Sequence, residues 1–257
     1  MSQVTSHKSP ELIVALDVDT LERAEGLVDK LHTRVKLFKI GSQLFTAYGP
    51  EAVRKIGAKG VKVFLDLKFY DIPQTVYGSS STASSICIES SRIPTGIEPR
   101  IEETVQPAVF MLTVHTQGGK DMLEAAVKGA RDKSEELKIS KPFVVGVTVL
   151  TSTSKTEGTI NEVLKRAKLA KEAGLDGVVC SVQEALEVRK ACGEDFIIVT
   201  PGIRPQGAEK NDQKRCATPQ EAVKAGANFI VIGRPILEAK DPLLAVKEIL
   251  DSIKPER

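Results

Sequence analysis

The sequence predicts a single closed (β/α)8 barrel, and three observations support this fold class. Eight short apolar runs alternate with segments of helical periodicity, as in parallel strands joined by crossover helices. Each run is apolar almost without interruption, which is typical of strands covered on both faces. The chain has 257 residues, a usual length for one such barrel. An open doubly wound sheet fits less well, because no G-x-G-x-x-G fingerprint follows the first run.

The first half of the chain predicts four of the strands. They are expected at residues 12–18, 37–40, 61–67 and 109–114. The first helix should begin near Thr20, because a hydroxyl followed by an acidic residue favours a helix N-terminus. The second helix is expected over 50–56, with Pro50 in its first turn. After the fourth strand, apolar residues at helical spacing predict another helix. They are Met122, Leu123, Ala126, Val127 and Ala130.

The second half repeats the pattern with less irregularity. Strands are expected at residues 143–150, 177–180, 196–200 and 229–232. Helices are expected at residues 160–173, 182–191, 219–225 and 243–253. A long polar loop, residues 201–217, separates the seventh strand from its helix. Such a loop is often functional.

One segment does not fit a regular barrel. Residues 77–108 have serine clusters, three prolines and no clear helical period, and they are longer than one crossover needs. We expect an irregular insertion after the third strand, within a barrel domain of residues 11–257. It could be a surface insertion, a lid or interface element, or the result of a reading-frame defect that scrambled a helix. Residues 1–10 are polar and are expected to be a flexible leader.

Composition excludes several function classes. The chain has 36 basic and 34 acidic residues, which gives no reason to expect nucleic acid or an anionic membrane as partner. No stretch is apolar over the length of a membrane span. The four cysteines form no C-x-x-C pair, so we expect unpaired thiols, no metal site and a cytoplasmic location.

Charged residues gather where the predicted strands end. The third strand runs into Asp66, Lys68 and Asp71, a D-x-K-x-x-D pattern, and strand alternation predicts that the first two face one cavity. Asp17 ends the first strand and Lys39 lies on the second. In a barrel this end carries the chemistry. The alternative is a solvated strand end, since short motifs often mislead. A lysine between carboxylates suits protonation of a carbanion better than Schiff-base chemistry.

Two later loops predict a phosphate site. T-P-G-I-R at 200–204 and I-G-R-P at 232–235 combine glycine backbone with guanidinium groups, which bind phosphate oxygens bidentately. The loops after the seventh and eighth strands of a barrel are the usual phosphate position. The alternative is a pair of exposed arginines. A phosphorylated small molecule is the ligand that these loops favour.

Taken together, the motifs resemble the orotidine 5′-phosphate decarboxylase family, most closely its bacterial branch. The resemblance runs from about residue 12 to the C-terminus, apart from the insertion, and is specific because the motifs occur in order. They are ALDV at 15–18, FKIG at 38–41, DLKFYDIPQTV at 66–76, TVLTS at 148–152, TPGIRP at 200–205, DQKR at 212–215 and VIGRP at 231–235.

The resemblance implies a homodimer with shared active sites that converts orotidine 5′-monophosphate to UMP and CO2, in pyrimidine biosynthesis, without metal or cofactor. It implies that Lys68 protonates C6 within a charge network formed with Lys39 and Asp66. It implies that Asp71 completes the network from the other subunit. The implied substrate-binding residues are Asp17, Lys39, Thr75 of the partner chain, Thr151, Arg204, Gln213, Gly233 and Arg234.

The chain departs from the family pattern at a few positions. Tyr70 and Gln74 replace the usual histidine and asparagine, and Thr113 begins T-V-H-T-Q where the family has N-V-H-A-S. None is a proposed catalytic group, so we expect them to tune the site at most. Two alternatives stay open: a Mg²⁺-dependent sister enzyme, such as a 3-keto-gulonate-phosphate decarboxylase or hexulose-phosphate synthase, and a non-catalytic phosphate-binding barrel.

Overall fold

The computed structural model describes residues 9–88, 106–151, 158–205 and 215–254. Its centre is a closed barrel of eight parallel strands in which each strand pairs with the next along the chain and the last pairs with the first. The strands are β1 (Glu11–Ala15), β2 (Leu37–Gly41), β3 (Lys62–Phe69), β4 (Val109–His115), β5 (Phe143–Val147), β6 (Gly177–Val179), β7 (Ile197–Thr200) and β8 (Phe229–Ile232). The predicted barrel is therefore confirmed.

Buried side chains cover both faces of the barrel sheet. Alternate residues of each strand point inward, as Ile13 and Ala15 do on β1, and form a central cluster with Phe64 and Met111. The residues between them, such as Val14, pack outward against the helices. Burial on both faces explains why the strands are continuously apolar.

Two predicted strands are too long. β1 ends at Ala15 and β5 ends at Val147, although the apolar runs continue to Val18 and Leu150. Leu16 and Val18 lie beyond the end of β1, but both are buried in the cluster of residues between the barrel strands and the helices. The apolar runs therefore indicate buried residues, and burial continues past the ends of these strands into the loops that follow them.

Nine α-helices surround the barrel in the described residues, and a 3-10 helix, Thr116–Gly118, follows β4. The α-helices are α1 (Leu21–Leu31), α2 (Ser42–Gly57), α3 (Pro73–Ser84), α4 (Gly119–Leu137), α5 (Thr159–Glu172), α6 (Val182–Cys192), α7 (Pro219–Lys224), α8 (Arg234–Leu237) and α9 (Pro242–Ser252). Thr20 caps α1 as predicted, by accepting a hydrogen bond from the backbone of Arg23. The predicted second helix is only the latter part of α2, which is kinked at Gly49 before Pro50. α8 was not predicted, and it has only four residues.

The segment 77–108 is more regular than predicted. Its first residues continue α3 to Ser84, so the absence of a helix there was a wrong prediction. The buried face of α3 contains Ser80, Ala83 and Ser84, and small or polar residues on that face hide the helical period. After α3, Cys87–Ile88 pairs with Gln106–Pro107 in a two-stranded antiparallel ladder. The intervening residues 89–105 lie outside the described residues, as does the predicted leader up to residue 8.

Small residues also let α3 lie close to α4. A Cβ atom built on Gly129 of α4 would lie 2.2 Å from the carbonyl oxygen of Tyr77, so only glycine fits there. The Tyr77 hydroxyl donates a hydrogen bond of 2.9 Å to Asp132. The N-terminal half of α3 is thus packed closely against α4. No helix within the described ranges is long and apolar enough to span a membrane, and all four cysteines are free thiols.

Candidate active site

A cavity of about 640 Å³ opens at the carboxyl ends of the barrel strands. Eight of the residues predicted from the sequence line it: Asp17, Lys39, Asp66, Lys68, Thr151, Arg204, Gly233 and Arg234. Gln213 lies outside the described residues. Asp71 and Thr75 are described but do not line this cavity. The structure therefore brings most of the candidate residues together and separates two from the rest.

Four charged side chains form an alternating network on the cavity wall. Lys39 Nζ lies 2.9 Å from Asp17 Oδ1 and 3.6 Å from Asp66 Oδ2. Lys68 Nζ lies 2.8 Å from the same Asp66 oxygen. A Cβ atom on Gly41, the last residue of β2, would come within 2.9 Å of Lys39 Nζ, so this glycine leaves room for the network. The ion pairs alternate in sign from Asp17 to Lys68.

The network holds its inner members in their charged forms. Burial alone would raise the pKa of Asp66, but the neighbouring Lys39 and Lys68 ammonium groups and hydrogen bonds from Lys68 and Thr113 lower it overall. Burial alone would lower the pKa of Lys39, but the Asp66 and Asp17 carboxylates raise it overall. Both residues are therefore ionised near neutral pH. Fixed charges of this kind can stabilise charge that develops during a reaction.

Lys68 reaches the cavity through an irregularity in β3. Leu65 pairs with Leu112 and Phe69 pairs with Val114, so three β3 residues lie opposite the single β4 residue Thr113. Lys68 has φ of 53°, in the left-handed region. That conformation costs a non-glycine residue about 1–2 kcal/mol. Asp66 and Lys68 do line one cavity, as predicted, but Lys68 lies in a bulge and not in a regular extended strand.

Thr113 occupies the position opposite this bulge. Its hydroxyl donates a hydrogen bond of 3.0 Å to Asp66 Oδ1 and accepts one of 2.8 Å from the backbone N–H of Lys68. Thr113 is fully buried. In the sequence, Thr113 was noted only as a departure from the family pattern, and the pairing of β3 with β4 reveals its partners.

The loops after β7 and β8 carry the candidate phosphate-binding residues, which line the same cavity. Gly202 follows β7 and has φ of 76°, which favours glycine, and it lets the chain turn toward Arg204. Arg204 is buried, and its guanidinium donates a hydrogen bond of 2.9 Å to the carbonyl of Ile203. Gly233 and Arg234 follow β8 at the start of α8. The two loops after β7 and β8 thus meet at the cavity, as the barrel fold predicts.

A buried ion pair supports the loop that carries Thr151. Arg215 Nη1 lies 2.8 Å from Glu184 Oε1, and both side chains are almost completely buried. Arg215 Nη2 donates hydrogen bonds to the carbonyls of Val149 and Leu150, at 3.1 and 2.9 Å. Arg215 belongs to the D-Q-K-R motif but was not among the predicted site residues. Its partners come from distant parts of the chain, so spacing alone could not identify its role.

The sequence analysis also missed several cavity residues that carry no distinctive motif. Gln43 and Glu238 add polar groups, and Gln43 donates a hydrogen bond of 2.7 Å to Asp19. The apolar wall was missed because its residues are indistinguishable from core residues in the sequence. It includes Ala15, Phe64, Val147, Val149, Leu150, Val179, Cys180 and Val231. Within the described ranges, no group of three His, Cys, Asp or Glu side chains is suitably placed to hold a metal ion.

Asp71 and Thr75 lie on the outer surface beside the cavity. Asp71 is exposed, and its carboxylate accepts a hydrogen bond of 2.7 Å from the backbone of Ile72. Thr75 lines a second, mostly apolar cavity of about 410 Å³ between α2 and α3. Tyr70 and Ile72, at 60% and 66% exposed, are the most exposed large hydrophobic side chains among the described residues. Within one chain, these residues do not join the charge network.

Comparison with known proteins gives consistent matches over nearly the whole chain. Residues 10–91 and 93–249 match the sequence profile of the orotidine 5′-phosphate decarboxylase / HUMPS family. An orotidine 5′-phosphate decarboxylase of Moorella thermoacetica is 42% identical over 260 residues, covering 98% of this chain and 95% of that protein. One from Coxiella burnetii (strain RSA 331) is 43% identical over 253 residues, covering 95% of this chain and 97% of that protein. The crystal structure of orotidine 5′-phosphate decarboxylase from Lactobacillus acidophilus has a TM-score of 0.75 and 33% identity, covering 96% of this chain and 100% of that one.

Proposed function

The chain belongs to the orotidine 5′-phosphate decarboxylase / HUMPS family and is an enzyme of the decarboxylase type named in its relatives, and on that premise we propose its reaction and mechanism. It converts orotidine 5′-monophosphate to UMP and CO2, a step of pyrimidine biosynthesis in the cytoplasm. The observation that carries the mechanism is the network of Asp17, Lys39, Asp66 and Lys68, which shares one cavity with the two arginines of the loops after β7 and β8.

Lys68 is the proton donor in this mechanism. The bond between C6 of the pyrimidine and its carboxylate carbon breaks, CO2 leaves, and the electron pair stays on C6. An N–H of the Lys68 ammonium group then transfers its proton to C6, and solvent returns a proton to the amine. The Lys68 side chain is 35% exposed, so water reaches it. The salt bridge with Asp66 makes Schiff-base formation unfavourable, because an ammonium group has no free electron pair for nucleophilic attack.

Lys39 and Asp66 set the electrostatics of this step. Their fixed charges need no reorganisation when charge develops at C6, which is the condition for effective electrostatic catalysis. Asp17 and Lys39 also bind the ribose hydroxyl groups, and Thr151 lies beside the base. These roles are the ones that the family resemblance implies, and all four side chains line the cavity.

Arg204, Gly233 and Arg234 bind the 5′-phosphate, and Gln213 assists them. Guanidinium groups can make paired hydrogen bonds to phosphate oxygens, and both arginines line the side of the cavity formed by the loops after β7 and β8. In this proposal the loops after β7 and β8 hold the 5′-phosphate, and the pyrimidine lies near Lys68.

Arg234→Ala is expected to lower kcat/KM for orotidine 5′-monophosphate by roughly 100-fold, because a charge-assisted contact to the phosphate is lost. Steady-state kinetics at several substrate concentrations measure this effect. Arg34→Ala is the matched control, because Arg34 is exposed in the loop between α1 and β2, away from the cavity. Equal kcat/KM in the Arg234 variant and the wild type would contradict phosphate binding by Arg234.

The active enzyme is a homodimer in which Asp71 and Thr75 serve the neighbouring site. Their exposure outside their own cavity supports this arrangement. The exposed Tyr70 and Ile72 lie beside them and provide apolar surface for a second copy. Thr75 also lines the apolar cavity between α2 and α3, which enlarges the apolar surface available to a second copy.

The reaction proceeds without a divalent metal ion. Asp66 Oδ1 accepts a hydrogen bond from Thr113, and Oδ2 faces two ammonium groups, so a cation at this carboxylate would have to displace them. We expect loss of orotidine 5′-monophosphate, followed by absorbance, at the same rate with and without EDTA. Activity that requires added Mg²⁺ would favour the sister enzymes. UMP binding without turnover would favour a non-catalytic phosphate-binding barrel.

A further inference from the structure

We propose that Thr113 is a positioning residue for decarboxylation, which fixes the proton donor Lys68 and its carboxylate partner Asp66 through one hydroxyl group. This inference rests on the proposed roles of Lys68 and Asp66. Thr113 does not line the cavity, so it acts through these two residues and not on the substrate.

The hydroxyl of Thr113 is used as donor and acceptor at once. It donates to Asp66 Oδ1 at 3.0 Å and accepts from the Lys68 backbone N–H at 2.8 Å. A hydroxyl has one proton to give, so the bond to the carboxylate fixes its orientation and leaves a lone pair for the amide. Thr113 has 0% exposure, so no bulk water can replace it.

The register of the sheet explains why a side chain is needed here. Three residues of β3 lie between the pairs that β3 makes with Leu112 and Val114, and only Thr113 faces them. The regular backbone ladder is interrupted at this point, and the Lys68 N–H bonds the Thr113 side chain instead. Thr113 therefore stabilises the left-handed backbone of Lys68, whose φ is 53°.

The hydrogen bond from Thr113 also gives the two carboxylate oxygens of Asp66 different partners. With Oδ1 held by Thr113, Oδ2 points to Lys68 Nζ at 2.8 Å and to Lys39 Nζ at 3.6 Å. Without the hydroxyl, the Asp66 carboxylate can rotate about its Cβ–Cγ bond. The bulge in β3 also loses its hydrogen bond to the Thr113 side chain of β4. Both changes displace the Lys68 ammonium group from the reacting carbon, and a misplacement of about 1 Å can lower a rate by roughly 100-fold.

The test compares Thr113→Val with Thr113→Ser. Valine keeps the branched shape and removes the hydroxyl, whereas serine keeps the hydroxyl and removes a methyl group. We expect kcat for orotidine 5′-monophosphate to fall about 10- to 100-fold in Thr113→Val, with KM changed by less than about threefold, and to recover within about threefold of wild type in Thr113→Ser. If the valine variant does not fold, Thr113→Ala takes its place.

Thr116→Val is the matched control. Thr116 is also a buried threonine, directly after β4, but its hydroxyl donates to the carbonyl of Val147 at 2.8 Å and does not contact the charge network. We expect it to keep kcat within about threefold of wild type. Near-normal kcat in a folded Thr113→Val enzyme, or a similar fall in Thr113→Ser and Thr113→Val, would overturn the proposal.

A second measurement does not depend on turnover. The hydrogen bond from Thr113 helps to keep the pKa of Asp66 low, so its removal should raise that pKa. Carbon NMR titration of the Asp66 carboxyl, assigned with Asp66→Asn, should show a higher midpoint in Thr113→Val than in wild type and a near-wild-type midpoint in Thr113→Ser. An unchanged midpoint would overturn the proposal. If wild type does not decarboxylate orotidine 5′-monophosphate, the proposed function fails, while this titration still decides the role of Thr113.

Discussion

Lys68→Ala is expected to lower kcat for decarboxylation by roughly 10⁴-fold or more, because it removes the proton donor and one charge of the network together. The Lys68 side chain faces the cavity and is partly exposed, so its loss should leave the barrel folded. Absorbance assays of orotidine 5′-monophosphate measure the rate. Circular dichroism and thermal melting measure the fold.

Two further variants sharpen this prediction. Lys68→Arg keeps a positive charge beside Asp66, but a guanidinium group does not give up its proton, so this variant should stay nearly inactive if proton transfer is the role of Lys68. Lys30→Ala changes an exposed lysine at the end of α1 and should leave the rate unchanged. A folded Lys68→Ala enzyme with a near-normal rate would refute the assignment of Lys68 as proton donor.

Asp71→Ala and Lys68→Ala subunits are each expected to be nearly inactive alone and to regain about a quarter of wild-type activity when they form mixed dimers in equal amounts. In a hybrid, the site of the Asp71→Ala subunit has its own Lys68 and receives Asp71 from the Lys68→Ala subunit. About half of randomly mixed dimers are hybrids, and each has one intact site of two. The activity of co-refolded mixtures measures the recovery.

The matched control mixes Lys68→Ala with Asp66→Ala subunits. Both residues line the cavity of their own chain, so no hybrid contains an intact site and no recovery is expected. Differently tagged subunits establish that hybrids form. If hybrids of the Asp71→Ala and Lys68→Ala chains are present and inactive, the shared-site proposal fails.

The fold could be predicted because the barrel repeats one simple pattern. Strands such as β8, Phe229–Ile232, are buried on both faces and bounded by polar segments, so their apolar runs coincide with the ladder. The prediction failed where buried residues lie outside a strand, or where the buried face of a helix is not apolar. Val18 is buried beyond β1, and the buried face of α3 includes Ser80. Apolarity measures exclusion from water, and in these places a loop is buried or a helix packs through small polar residues.

The residues of the candidate site were predicted because charge is conspicuous at a strand end. Asp66 and Lys68 stand out in an apolar segment, whereas Thr113 was noted only as a departure from the family pattern and Glu184 was not noted at all. Thr113 lies 47 residues from Asp66 along the chain, and Glu184 lies 31 residues from Arg215. Contacts at such separations are set by register and packing, which one sequence does not display.

The bulge in β3 limits how the proposed catalytic motif could be transplanted into another scaffold. A designer who copied D-x-K onto a regular strand would obtain the correct residues with an extended lysine backbone, and Lys68 here is not extended. The transplant would need two additional residues on the donor strand relative to its neighbour, together with a hydroxyl-bearing residue on that neighbour. The smallest portable unit is therefore a pair of adjacent strands, and a one-strand graft is expected to be poorly active even in a stable barrel.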